Sequence, residues 1–248
     1  IGYAIALSTE QHYSGASYLD VDDIIFEEFM ERGGVYIRNE SSRLITFYST
    51  VDRKRGTTQV WLVGNTISRI CPYIEDWGLQ HIMRNQKQGT IETLIIKNEE
   101  NDVKIAVEYC RASGGKTMAI GTAKGMIDKG AWQSFPQPHL PKSKSDYKII
   151  YRVGFFYKSF KFIGELLRDN NDLCWFIYPY YKEFNNNMLV FSDIIKPSRY
   201  WQKDIYNITI KNDKLQKILY TFRESQIFYS TDLDGTDFKS AIDFPIRR

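Results

Sequence analysis

The sequence predicts an α/β protein in three parts: a parallel-sheet domain over residues 1–109, a connector over 110–145, and a β-rich domain over 146–248. Three observations predict it. Two apolar runs, DDIIFEEF and VWLVGN, flank a segment with helical periodicity, and continuously apolar strands on either side of a helix argue for a parallel sheet. A Gly- and Lys-rich stretch with Pro136, Pro138 and Pro141 follows. From Tyr147 the pattern turns to aromatic-rich strands, KIIYRVGFFY, KFIGELLR and CWFIYPYY, separated by short polar breaks.

In order along the chain, Gly2 to Leu7 reads as a strand, Ser8 to Tyr18 as a polar loop, and Val21 to Phe26 as a second strand. After Gly33-Gly34, the run ESSRLITFYSTVDRK places Leu44, Phe47, Tyr48 and Val51 on one helical face, with Asn39 in the N-cap position. Val60 to Asn65 is the next strand. Thr90 to Lys97 and Val103 to Tyr109 read as a β pair around a turn at Asn98 to Asp102. The end reads as a helix (Asp213 to Arg223), a short strand (Gln226 to Ser230) and a last helix near Asp234 to Phe244.

Composition bounds the function. The net charge of +3 permits a nucleic-acid partner without demanding one. Cys71, Cys110 and Cys174 lie far apart, and His12, His81 and His139 lack ligand spacing, which argues against a zinc site or a disulfide framework. No stretch reaches the roughly 18 apolar residues of a membrane span. The opening IGYAIALS reads as the middle of a strand, so a longer natural chain is expected.

The run IIFEEF carries the sharpest chemistry. In P-loop ATPases an apolar strand delivers two acids at its tip, one toward the magnesium shell and one that polarises the attacking water; Glu27 and Glu28 have that placement. A solvated strand edge ends in the same way. Asn65, at the tip of VWLVGN, is placed to sense a γ-phosphate, though Gly-Asn is also an ordinary turn. In DRKR, Arg53 or Arg55 could neutralise charge on a transferring phosphoryl group, although a helix C-terminus favours basic residues anyway.

Taken in order, YAIALS, VDDIIFEEFM, DRKR, VWLVGNTISRICPY and NNNMLVFSD resemble the DNA encapsidation ATPases, the terminase-like packaging motors of small, short-tailed, protein-primed phages. The resemblance is strongest from Tyr3 to Tyr73 and weaker after about Tyr109. It implies part of a P-loop (ASCE-type) ATPase domain, a linker and an RNase-H-like domain, in a homo-oligomeric ring that uses ATP and Mg²⁺. The implied partners are double-stranded DNA and the phage portal or procapsid, and the implied place is the host cytoplasm. On the matching positions it implies Glu27 at magnesium, through water, and Glu28 as the catalytic acid. Arg53 is then the trans-acting arginine with Arg55 second, and Asn65 the polar strand tip.

Two departures accompany it. Glu27 stands where the family usually has Asp. The phosphate-cradling glycine loop is expected roughly a hundred residues before the acid pair, so these 248 residues alone are expected to be inactive. CRASGGKT (110–117) ends in Gly-Lys-Thr but has Cys110 where that loop needs glycine, and it follows the acid pair; it reads as a basic turn. A nuclease would want acids on the first strand of the last domain, where Arg152 stands, so nuclease inactivity is expected. Lys124, Lys129, Lys142 and Lys144 are candidate DNA-phosphate contacts on a mobile tether. The alternatives are a non-catalytic nucleic-acid or portal-binding module, whose basic connector includes Lys116, or a terminase nuclease.

Overall fold

The computed structural model describes residues 2–31, 35–97, 102–112, 124, 128–194, 201–203 and 213–243. Contacts divide the chain into two compact units, Ile1–Gln133 and Ser134–Arg248, and the division falls inside residues 110–145.

The first unit is built on β1 (Asp23–Glu27) and β2 (Gln59–Val63), which pair in parallel with Glu27 opposite Val63. Parallel neighbours need a crossover, and α1 (Glu40–Asp52) lies on it. Leu44 and Val51 of α1 are buried, with Phe47 and Tyr48 half-buried beside them, as the periodicity predicts. Asn39 occupies the N-cap position, but in a left-handed conformation with no side-chain cap. The helix start is held instead by Glu40, whose Oε2 accepts from Ile37 N at 2.9 Å and Oε1 from the Tyr73 hydroxyl at 2.8 Å.

Two expectations are corrected here. Continuously apolar parallel strands are expected to be covered on both faces. Burial instead alternates, and Ile25, Trp61 and Val63 point outward at 66%, 54% and 55% exposure, because only one side of the pair carries a covering layer. Gly2 to Leu7 is not a strand: Thr9 donates from both N and Oγ1 to Ala6 O, turning the chain into a 3-10 turn at Leu7–Tyr13 before it can join a ladder.

The core of this unit gathers around Tyr73 on α2 (Pro72–Asp76), fully buried and ringed by Phe26, Phe29 and Trp77 at centroid distances of 5.7, 5.9 and 5.3 Å. α3 (Gln80–Asn85) adds Ile82 and Met83. The β pair expected after it forms as β3 (Thr90–Ile96) antiparallel to β4 (Val103–Tyr109). Leu94, Ile105 and Val107 pack inward on the core. The turn at 98–101 and the Gly33-Gly34 turn lie outside the described residues, as do 113–117 of CRASGGKT.

The second unit opens with an antiparallel meander, β5 (Lys148–Tyr157), β6 (Phe160–Asp169) and β7 (Asp172–Pro179). β8 (Val190–Ser192) joins β5 in parallel, β9 (Trp201–Lys203) joins β8, and β10 (Gln226–Tyr229) joins β7. The sheet order is β10-β7-β6-β5-β8-β9. One face is apolar because Phe155, Phe162 and Trp175 alternate onto it, against Phe222 of α4 (Asp213–Glu224) and Phe238 of α5 (Asp232–Asp243).

Described parts of the expected tether are bonded locally. Gln88 Nε2 donates to Lys129 O at 2.8 Å within the first unit. In the second, Phe135 N donates to Thr236 Oγ1, and the His139 ring nitrogens face Tyr229 O and Asp232 Oδ1 at 3.0 and 2.9 Å.

Gly164 sits under this aromatic layer, and a Cβ there would meet Phe155 at 2.7 Å and Ile177 at 3.0 Å. Gly164→Ala is therefore expected to lower stability by about 1–3 kcal/mol in urea titration; an unchanged midpoint would mean that the layer is looser than described.

Candidate functional site at the strand ends

Because β1 and β2 run in parallel and in register, the residues just past both strands emerge at one end of the pair. Glu27 closes β1, Glu28 follows it, and Gly64 and Asn65 follow β2. Glu28 has φ +55°, a left-handed conformation uncommon for a non-glycine residue, which turns the chain sharply at the tip. Gly64 makes the approach of the two tips possible: a Cβ there would stand 3.0 Å from the Phe29 ring. Ile67 N donates to Asn65 O at 2.8 Å, so the second tip also turns at once.

The acids are chemically free. Glu27, Glu28 and Asn65 are exposed, and neither carboxylate has a hydrogen-bond or ion-pair partner among the described residues. Magnesium keeps several waters and takes one or two carboxylates beside phosphate oxygens, and two unpaired carboxylates at an open strand end fit that demand. Among the described residues no group of three His, Cys, Asp or Glu stands close enough to form a metal cage of its own.

Both arginines lie elsewhere. α1 returns the chain to the start of the strands, so Arg53 and Arg55 sit at the opposite end of the pair from Glu28, with the length of β1, about 13 Å at the usual rise per residue, between them. Arg55 is spent within its own chain. Its guanidinium donates to the carbonyls of Leu19, Val21, Val51 and Asp52 and to Thr58 Oγ1, at 2.6–3.2 Å. These bonds tie Arg55 to the segment that leads into β1. Arg53 caps the end of α1, is exposed, and makes a single side-chain bond, from Nη2 to Ala16 O at 2.5 Å.

Sequence reading missed Asp52, although the helix-to-strand turn Asp52–Thr58 holds its signal. Buried Asp52 accepts from Gly56 N at 2.9 Å and Thr58 N at 3.1 Å. These backbone hydrogen bonds hold its carboxyl below the usual range against the opposing pull of burial. With Arg55 it knots the end of α1 to the segment that enters β1.

The lysine candidates divide by unit. Lys124 and Lys129 are exposed in the first. In the second, Lys142 is ion-paired to Asp169 and Lys144 to Glu165, both at 2.6 Å. Lys116 lies outside the described residues, and no described helix is long and apolar enough to cross a membrane.

Comparison with known proteins gives one family. Residues 1–122 match the family model described as Podovirus DNA encapsidation protein (Gp16), and no curated protein matches the chain. Two solved structures are similar over most of its length. One, "The Phi-28 gp11 DNA packaging Motor", is 16% identical at a TM-score of 0.40, covering 97% of this chain and 66% of its own. The other, "The bacteriophage Phi-29 viral genome packaging motor assembly", is 18% identical at a TM-score of 0.44, covering 94% and 69%. The chain thus spans about two thirds of the length of either.

Two predictions follow from the knot. Arg55→Ala should destabilise the first unit by about 2–3 kcal/mol by orphaning several carbonyls, whereas exposed Arg53→Ala should stay within about 0.5 kcal/mol; equal losses in denaturant titration would contradict the assignment. Asp52 has a depressed folded-state pKa, so its contribution is present above the unfolded value of about 3.9 and is lost as pH falls through the lower folded value. The stability advantage of the native chain over Asp52→Asn should then be full at neutral pH and shrink in that acid window. A pH-independent difference would rule out the ionised carboxylate as its source.

Proposed function

We propose that this chain is part of the ATPase subunit of a phage DNA-packaging motor, a ring that drives double-stranded DNA into a procapsid in the host cytoplasm. The observation that carries the reading is the match of residues 1–122 to the Podovirus DNA encapsidation family, over the segment whose parallel strands bring Glu27, Glu28 and Asn65 out at one end. Strand, helix, parallel strand with an acid pair at the first tip supports an ASCE-type P-loop assignment for the first unit. The second unit, an antiparallel meander whose first strand carries parallel additions on its other side, supports the RNase-H-like assignment.

In this reading the ligand is ATP with Mg²⁺, which when bound would supply neutralising positive charge at the phosphates. Glu27 orients a water of the metal shell. Glu28, unpaired and turned outward, accepts a hydrogen bond from the attacking water and aims it in line with the γ-phosphorus. Asn65 offers an amide donor to the γ-phosphate side and reports its loss to β2. Arg53, on the far end of the strands, cannot serve the site of its own chain but is exposed for that of a neighbour in a ring. A nuclease reading finds less support, because the first strand of the second sheet presents Arg152, and Glu165 beside it is ion-paired.

The test is ATP turnover and retention by the assembled motor. Glu28→Gln should keep ATP binding and lower turnover by about 10²-fold or more. Arg53→Ala should also spare binding and lower turnover, and mixing the two variants should restore part of it through interfaces that combine an intact Glu28 with an intact Arg53. Undiminished turnover in Glu28→Gln would reject the catalytic assignment, and mixed rings no better than either variant would reject action across the interface.

A further inference from the structure

Glu165 is the most deeply buried carboxylate among the described residues, with its side chain 0% exposed at the middle of β6. Its cross-strand neighbours are Arg152 and Phe176, on the sheet face opposite the Phe155–Trp175 layer. Oε1 accepts from Arg152 Nε at 2.8 Å and from the Tyr178 hydroxyl at 3.0 Å, and Oε2 faces Lys144 Nζ at 2.6 Å. Burial pushes this carboxyl up, but the bonds from Lys144, Arg152 and Tyr178 and the Lys144 charge outweigh it and hold the group ionised.

The two cations are not buried with it. The Lys144 side chain is 39% exposed and that of Arg152 54%. Arg152 is gripped at Nε, so its two terminal nitrogens have no partner among the described residues and form a fork fixed at its base. Lys144 Nζ lies over the Tyr178 ring, 4.5 Å from its centroid, which restrains it in turn. Two cations share one carboxylate, so the cluster is net positive. Asp169 is taken up by Lys142, and Asp146, exposed two residues from Lys144, opposes its field.

We propose that Lys144 and Arg152, aimed by the buried Glu165, form a clamp for a phosphodiester of a nucleic-acid backbone. A guanidinium fork beside an ammonium matches the paired non-bridging oxygens of that group, and a contact to backbone alone carries no sequence preference. Oε1 accepts from Arg152 and Tyr178 and Oε2 is ion-paired with the Lys144 ammonium, so the carboxylate acts as a positioning residue and not as a metal ligand. Duplex DNA as the carrier rests on the packaging reading; the phosphodiester chemistry does not.

The test is fluorescence-anisotropy binding of the 248-residue chain to a duplex DNA and to a duplex RNA of equal length. The deciding variant is Arg152→Met combined with Glu165→Gln, which removes the fork, leaves no buried charge unpaired and keeps the net charge unchanged. Its affinity should fall about tenfold, and its slope of log K against log salt between about 50 and 200 mM should flatten by about 0.9. Lys144→Gln, which leaves the Arg152–Glu165 pair in place, should flatten the slope similarly and guards against misfolding of the double variant, checked by thermal melting. Unchanged affinity and slope in both variants would overturn the clamp while leaving the ATPase reading standing, since that is tested by turnover. No binding of either duplex by the native chain would also overturn it. Losses confined to RNA would overturn duplex DNA as the carrier.

Discussion

Two parallel strands cannot be joined by a tight turn, and the first unit follows from that constraint. The chain must leave β1 at one end, travel back along α1, and re-enter β2 at the other. The returning end is secured by polar bonds: Asp52 gathers the amides of Gly56 and Thr58, and Arg55 gathers the carbonyls of the segment leading into β1. The departing end is left open, with Gly64 close against Phe29. Rigidity at one end and unpaired acids at the other are thus two results of the same crossover.

Buried carboxylates recur as organisers in both units. Glu40 fixes the start of α1 through Ile37 N and the Tyr73 hydroxyl, Asp52 fixes its end, and Glu165 aims two half-exposed cations in the second sheet. A charge removed from water persists only where donors replace the water, so each of these acids commits its surroundings to one geometry. Among the described residues Glu27 and Glu28 have no such donors, which leaves them available for a ligand. That contrast separates acids that build the protein from acids that can serve chemistry.

Much of the fold was legible because it rests on local periodicity. The α1 face of Leu44 and Val51, the β3–β4 pair and the aromatic strands of the second unit all follow from residue spacing. Gly2 to Leu7 misled because an apolar run becomes a strand only if a neighbour completes its ladder, and a Thr9 bond to Ala6 O turns it first. The acid pair and Asn65 were legible as strand tips; whether Arg53 or Arg55 was free was not, since two of the carbonyls that occupy Arg55, those of Leu19 and Val21, lie more than thirty residues away in sequence. Residue spacing does not show that Glu165 is buried. Its burial beneath Lys144 and Arg152 is a product of cross-strand register and of the segment before β5 folding back.

Under the proposed function, nucleotide binds where β1 and β2 end. An electron cryomicroscopy map of the assembled motor, with Mg²⁺ and a slowly hydrolysed ATP analogue bound, tests it directly. The account predicts the γ-phosphate at the Glu27–Glu28 and Asn65 tips, with Glu28 within one bridging water, about 2.6–3.2 Å per link, and Arg53 approaching from a neighbouring subunit. Nucleotide bound at the Arg55 end of the strands, or remote from this pair altogether, would contradict it.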